Sequence, residues 1–178
     1  MKSKITLLLP FIFICIVAVQ AQNEDPHGSA ESAITGIISS KINNDTMFDI
    51  NEFAKDYAEA WCSQNPKKVA LFYAEDGSLN INNGTPAVGR AAIAQSAKAF
   101  MDAFPDDMIV AFDKLLKTSK GIEFHWTLTG TNTGPNGTGK KVNISGFELW
   151  EFDHNGLIKE SKGTFDAEEY NKQIKYGI

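Results

Sequence analysis

Two ionisable residues sit inside otherwise apolar, β-like stretches of this chain: His125 in HWTLTGTNTGP and Glu148 in GFELWEF. Period-two spacing puts Ile144, Gly146, Glu148, Trp150 and Phe152 on one strand face. Desolvation among such neighbours disfavours a carboxylate's charged form, which lifts its pKa toward the range a general acid or base needs. Phe147 and Leu149 make the opposite face apolar too. The pattern therefore also fits an outward, subunit-facing Glu148, or one paired with a lysine across the sheet. His125 alternates with Glu123, Thr127 and Thr129, opposite Ile122, Phe124, Trp126 and Leu128, which assigns it to the more polar face. An ordinary histidine titrates where proton shuttling at neutral pH requires, yet a histidine in a threonine-rich face is equally a structural one. The two form an acid/base pair only if both point inward.

Around them the chain supplies bulk. Trp61, Tyr73, Phe104, Trp126 and Trp150 are expected in the core, with some of them walling a mostly apolar pocket, and Asp76 stands where the second helix meets the first strand, as a helix terminator would. Arg90 is the single arginine and stands at a helix start, suited either to clamping a carboxylate or to ordering the preceding loop. GPNGTGKK lacks the spacing of a phosphate-binding loop and fits a lid better. Cys62 reads as a buried helix position, and His27, His125 and His154 are too scattered for a zinc site.

These side chains need elements to hold them. From Asp49, a plausible N-cap, Phe53, Ala54, Tyr57, Ala58 and Trp61 recur at helical spacing. Pro66 opens a second helix, read as running to Asp76-Gly77. NNGTP marks a turn after a short strand SLNI, and a third helix follows Gly89-Arg90 up to Pro105. Beyond Asp107 the period becomes two, predicting strands 108–117, 122–133, 141–152 and 157–164, and then Asp166 caps a closing helix. Helices first and strands afterwards predict an α+β domain over residues 47–178, with an antiparallel sheet.

The beginning reads differently. MKSKITLLLPFIFICIVAVQAQ has two lysines, a short apolar run and small residues around Ala21, the order of a cleaved export signal over residues 1–21. Residues 22–46 are small and polar, a tether with one weak helical patch near 33–38. The formal charge of −5 becomes −7 once Lys2 and Lys4 are removed. That balance points away from nucleic acid and anionic membranes as partners, and the expected location is periplasmic or secreted, with no stable membrane insertion after cleavage.

LFYAEDGSL, GRAAI, FPDD, HWTLTGTNTGP and GFELWEFDHNGLIKE together resemble the SnoaL-like polyketide cyclases of the nuclear transport factor two-like, or ketosteroid isomerase-like, superfamily. The resemblance implies a cone-shaped α+β barrel, a strongly curved sheet wrapped around N-terminal helices, enclosing a mostly apolar cavity. It also implies no metal or organic cofactor, a homodimer through the sheet's outer face, and Asp76 at the cavity mouth. The cyclases' catalytic aspartate falls at Gly163, their strand histidine near Leu149, and another frequent histidine at Asn132, while Asp166 matches a further family aspartate. These departures point away from polyketide cyclisation. The expected function is an exported protein that binds a small, mostly apolar molecule in the cone. The alternative is a cofactor-independent isomerase, hydratase or cyclase in which Glu148, Asp166 or His125 moves a proton on a small carbonyl compound.

Overall fold

In a computed structural model, residues 48–178 are described, and the leader and tether expected over residues 1–46 lie outside them. The α+β reading holds. Helices α1 (Ile50–Cys62), α2 (Pro66–Ala70) and α3 (Arg90–Ala103) precede most of the sheet, and α4 (Ala167–Tyr176) closes the chain. The strands are β1 (Tyr73–Ile81), β2 (Ala87–Val88), β3 (Ile109–Thr118), β4 (Gly121–Thr131), β5 (Lys141–Phe152) and β6 (Ile158–Phe165). Their order is β2-β1-β6-β5-β4-β3, so the sheet has two free edges and is not a closed barrel.

Local chemistry explains most boundaries. Asp49 accepts hydrogen bonds from the Asn51 and Glu52 amides, the predicted cap of α1. Gln64, at φ 55°, carries the chain out of α1, and Asn65 with Pro66 starts α2. Asn82 and Asn83 take positive φ in the predicted NNG turn. The three antiparallel pairings among β3, β4, β5 and β6 follow the period-two reading within a residue or two at each end.

One stretch departs from expectation. The second helix does not run to Gly77, because it stops at Ala70 and Tyr73 already lies in β1. β1 pairs in parallel with β6, which makes the sheet mixed rather than antiparallel. The anchor is the Ile158 amide, which donates to the Phe72 carbonyl. Pairing with a strand about 80 residues away overrides helical periodicity that is only local. Gly77 marks a register shift in β1, where an added Cβ would lie 2.8 Å from the Ile158 carbonyl oxygen. Further shifts follow Phe112 and Glu151. Such bulges bend strands and increase their twist, so the sheet can wrap α1.

The core lies between α1 and the sheet's inner face. Tyr57 from α1 reaches the rings of Tyr73, Phe124 and Trp150, which sit on three different strands. Trp150 stacks on Phe124 with centroids 4.7 Å apart. Each such buried aromatic contributes roughly 1.5–3 kcal/mol, so this contact holds α1 inside the curve. On the near side, Gln173 of α4 accepts the Asn143 amide and ties the last helix to β5.

Candidate functional site

Glu148 faces inward. Its ladder partners are Phe124 on β4 and Gly163 on β6, and it is 6% exposed. Four donors meet one of its oxygens. Oε2 accepts from Ser161 Oγ at 2.6 Å, Tyr57 Oη at 3.0 Å, Trp150 Nε1 at 3.1 Å and, more weakly, Tyr73 Oη at 3.4 Å. The two tyrosine hydroxyls are 2.9 Å apart. Each hydroxyl has one proton, and the shorter path is Tyr73 donating to Tyr57 and Tyr57 donating to Glu148. Oε1 has only a 3.3 Å contact with Tyr57. A proton on neutral Glu148 therefore belongs on Oε1, the oxygen that its neighbours do not crowd.

Electrostatics agree with this geometry. Burial raises the Glu148 carboxyl above the usual carboxylate range, and the hydrogen bonds from Ser161, Trp150, Tyr57 and Tyr73 only partly oppose it. Burial, and then the charge of Glu148, push both tyrosines well above their ordinary values, so they remain neutral donors. No basic side chain is among the groups that bond Glu148.

Beside this network lies a cavity of about 50 Å³. Glu148 and Gly163 line it with Trp61, Phe124, Trp126 and Phe165, and aliphatic side chains fill out the wall. Phe124, Leu79 and Leu128 are buried, whereas Ile81, Phe100, Trp126 and Phe165 are partly exposed and mark the mouth. A Cβ at Gly163 would stand in ordinary van der Waals contact with the Glu148 side chain, 3.6 Å from its Cγ.

The other expected site residues divide sharply. Trp61 and Trp126 line the cavity. Tyr73 and Trp150 are fully buried behind it, holding Glu148 rather than forming the wall. Phe104 is buried elsewhere, packed on Gly130 and facing Tyr170. Asp76 is exposed and bonded to Lys159. Asp166 is exposed and accepts the Glu169 amide at 2.9 Å, which makes it the cap of α4. His125 points to the outer face, where it bonds Glu123 at 3.0 Å and stacks on Phe147. His125 and Glu148 are thus on opposite faces of the sheet and form no pair.

Three loop readings also resolve. Arg90 donates to the Tyr73 carbonyl and orders the turn before α3. The 134–140 loop contributes nothing to the cavity wall. It is pinned by Asn132, whose side chain donates to the Ala103 carbonyl and accepts the Thr138 amide. Tyr57 and Ser161 are the site residues that spacing alone did not single out. Tyr57 was legible as core, but nothing in its helix showed that its hydroxyl meets a carboxylate. Among the described residues there is no group of three His, Cys, Asp or Glu that could hold a metal ion, and no helix is long and apolar enough to cross a membrane.

The family model of the SnoaL-like polyketide cyclases matches residues 51–174, and the chain belongs to that family. Solved structures share its fold at low identity. A ketosteroid isomerase-like protein from Catenulispora acidiphila, solved in complex with trimethylamine, is 18% identical with a TM-score of 0.57, over 67% of this chain and 88% of that one. A SnoaL-like protein from Jannaschia sp. CCS1 is 14% identical with a TM-score of 0.61, over 72% and 92%. A phenazine biosynthesis-related protein from Pseudomonas aeruginosa is 15% identical with a TM-score of 0.52, over 77% and 91%. A search among curated proteins finds no match. The family is thus that of a cone-shaped α+β fold.

Proposed function

We propose that this protein is an exported acid/base catalyst, working without an organic cofactor, that takes a small, mostly apolar carbonyl compound into the cavity beside Glu148. The observation that carries this reading is the Glu148 carboxyl itself. It is buried against an apolar wall, raised in pKa, and fixed through one oxygen by Ser161, Trp150 and Tyr57 while the other has only a long contact with Tyr57. A base held this way needs no reorganisation when it takes a proton, and its elevated pKa makes it the stronger base. Polyketide cyclisation fits less well. The cyclases' aspartate position holds Gly163, and about 50 Å³ is far below the 300–1,000 Å³ typical of pockets for drug-sized ligands. Export rests on the first 21 residues. Pairing of two copies through the outer sheet face is supported by exposed Ile109 and Leu116 on β3 and half-buried Phe147 and Leu149 on β5, with β4 between them.

A second reading, binding without chemistry, is favoured by the same three donors, which also make Glu148 a satisfied structural acid. The discriminating experiment follows the α-protons of cyclopentanone in D2O by NMR with the wild type and Glu148→Gln. Catalysis predicts faster exchange with the wild type, falling by roughly 10²–10⁴-fold in the variant. Binding of the ketone with no acceleration establishes the binding reading instead.

A further inference from the structure

The cavity wall has a composition that acid/base chemistry does not call for. Five of the residues lining it, Trp61, Phe100, Phe124, Trp126 and Phe165, are aromatic, and Glu148 is the single ionisable residue in the lining. Four of these rings stand as the sides of a box. Trp61 meets Phe100 at 80°, Phe100 meets Phe165 at 79° and Phe165 meets Trp126 at 59°, with centroids 6.1–6.3 Å apart at each step. Deeper in the core, Phe112, Phe124 and Trp150 lie nearly parallel at 11–12° and leave no space between them. The corner between two steeply angled rings is bounded by a face of each, and a ring face carries the negative part of the aromatic quadrupole.

The fold holds the sides of the box in place. Trp126 lies across the ladder from Gly146, where a Cβ would come within 2.6 Å of its Cζ2, so the missing side chain makes room for the indole. Phe165 packs on Tyr170 of α4. No Lys, Arg or His stands in the wall. The groups that bond Glu148 are Ser161, Trp150, Tyr57 and Tyr73, and both tyrosines stay neutral, so none of these partners offsets a charge on the carboxylate. A chain with a formal charge of −5 also draws cations toward its clefts.

The kind of cation follows from the wall. A primary ammonium or a guanidinium brings several N–H donors. Glu148 is the one acceptor side chain in the lining, and it already accepts from its own neighbours. A quaternary ammonium brings methyl groups and no donor. A cavity of about 50 Å³ with partly exposed rings at its mouth takes methyl-sized groups and excludes bulky ones.

We infer that the aromatic box binds a small quaternary ammonium ion, its methyl groups on the ring faces and its charge balanced by the Glu148 carboxylate. This rests on the reading of the cavity as a small-molecule site and gives that site a second class of ligand, which competes with the carbonyl compound for Glu148. Binding is linked to pH. Burial favours the neutral acid, whereas the cation favours the carboxylate. Binding therefore expels the proton, and affinity rises with pH through the folded pKa of Glu148.

The test compares tetramethylammonium with tert-butanol, a neutral molecule of nearly the same size and shape, on the mature protein and on Glu148→Gln. Above the folded pKa of Glu148 the cation is expected to bind about tenfold more tightly than the alcohol, equivalent to about 1.4 kcal/mol. That preference should shrink as pH falls and be largely lost in the variant, while alcohol affinity moves less than about twofold in both cases. A readout on the wild type alone does not depend on a variant folding: the methyl protons of the bound cation should shift upfield, as nuclei above ring faces do. A cation that binds no tighter than the alcohol, a preference indifferent to pH or to Glu148→Gln, or methyl protons that do not shift overturns the cation site and leaves the pocket standing. If tetramethylammonium, tert-butanol and cyclopentanone all fail to bind, the reading of the cavity as a small-molecule site falls, and this assignment falls with it.

Discussion

Glu148 links stability to pH in a direction that can be checked. Its folded pKa is raised, so the folded state holds a proton that the unfolded chain has already released. Its contribution is full below the ordinary carboxylate range and is lost as pH rises through the elevated folded pKa. Each tenfold elevation corresponds to about 1.4 kcal/mol. Glu148→Gln, which mimics the neutral acid with its amide nitrogen in place of Oε1, should flatten that part of a stability–pH curve measured by urea unfolding. Glu148→Ala should lose roughly 2–4 kcal/mol, since it leaves Ser161, Trp150 and Tyr57 without their acceptor. A Gln variant as damaged as the Ala variant would show that the network needs the charge. Alternation alone picked out Glu148 as a residue in an apolar setting. It could not choose the face, because Phe147 and Leu149 offered an equally apolar alternative. His125 was legible as belonging to the polar side for the opposite reason: its neighbours Glu123, Thr127 and Thr129 leave no doubt about the period.

At the scale of elements, local signals and long-range pairing part company. The caps at Asp49 and Asp166, the NNG turn and the span of β5 are each written within a few residues, and the structure follows them. β1 is not, because LFYAEDG has helical spacing and the partner that makes it a strand arrives with Ile158. That is why Tyr73 was legible as an apolar-site residue while its actual task, holding Glu148 from behind, was not. Asp166→Ala should cost about 1 kcal/mol of stability by thermal unfolding, with ketone binding unchanged, as expected of an exposed helix cap. Altered ketone binding would return Asp166 to the site. Gly146→Ala should cost about 1–3 kcal/mol and weaken binding as well, because its Cβ would meet both the Thr164 carbonyl oxygen and the Trp126 ring. Retained stability with unchanged binding would show that the Trp126 ring can shift at no cost to either.

For the whole molecule, the outer sheet face is the open surface. Ile109 and Leu116 are exposed there on β3, and Phe147 and Leu149 lie half-buried on β5. Two copies meeting on this face should sediment as a dimer, and Leu116→Lys should shift the population to monomer by placing a charge in the seam. A wild type that sediments as a monomer at micromolar concentration would remove the outer face from the proposal.

The position of β6 has a consequence for when the protein takes shape. It lies between β1 and β5, although it comes last in sequence among the described strands. Tyr73–Ile81 thus waits for residues 158–165 before its main chain is satisfied on that side, and Tyr57, Tyr73 and Ser161 cannot gather around Glu148 any sooner. Contacts this distant along the chain make folding slow, because loop-closure entropy is spent before any pairing repays it. A chain that stays open until residues 158–165 are made can, until then, still be threaded unfolded through a narrow pore, as the proposed export would require.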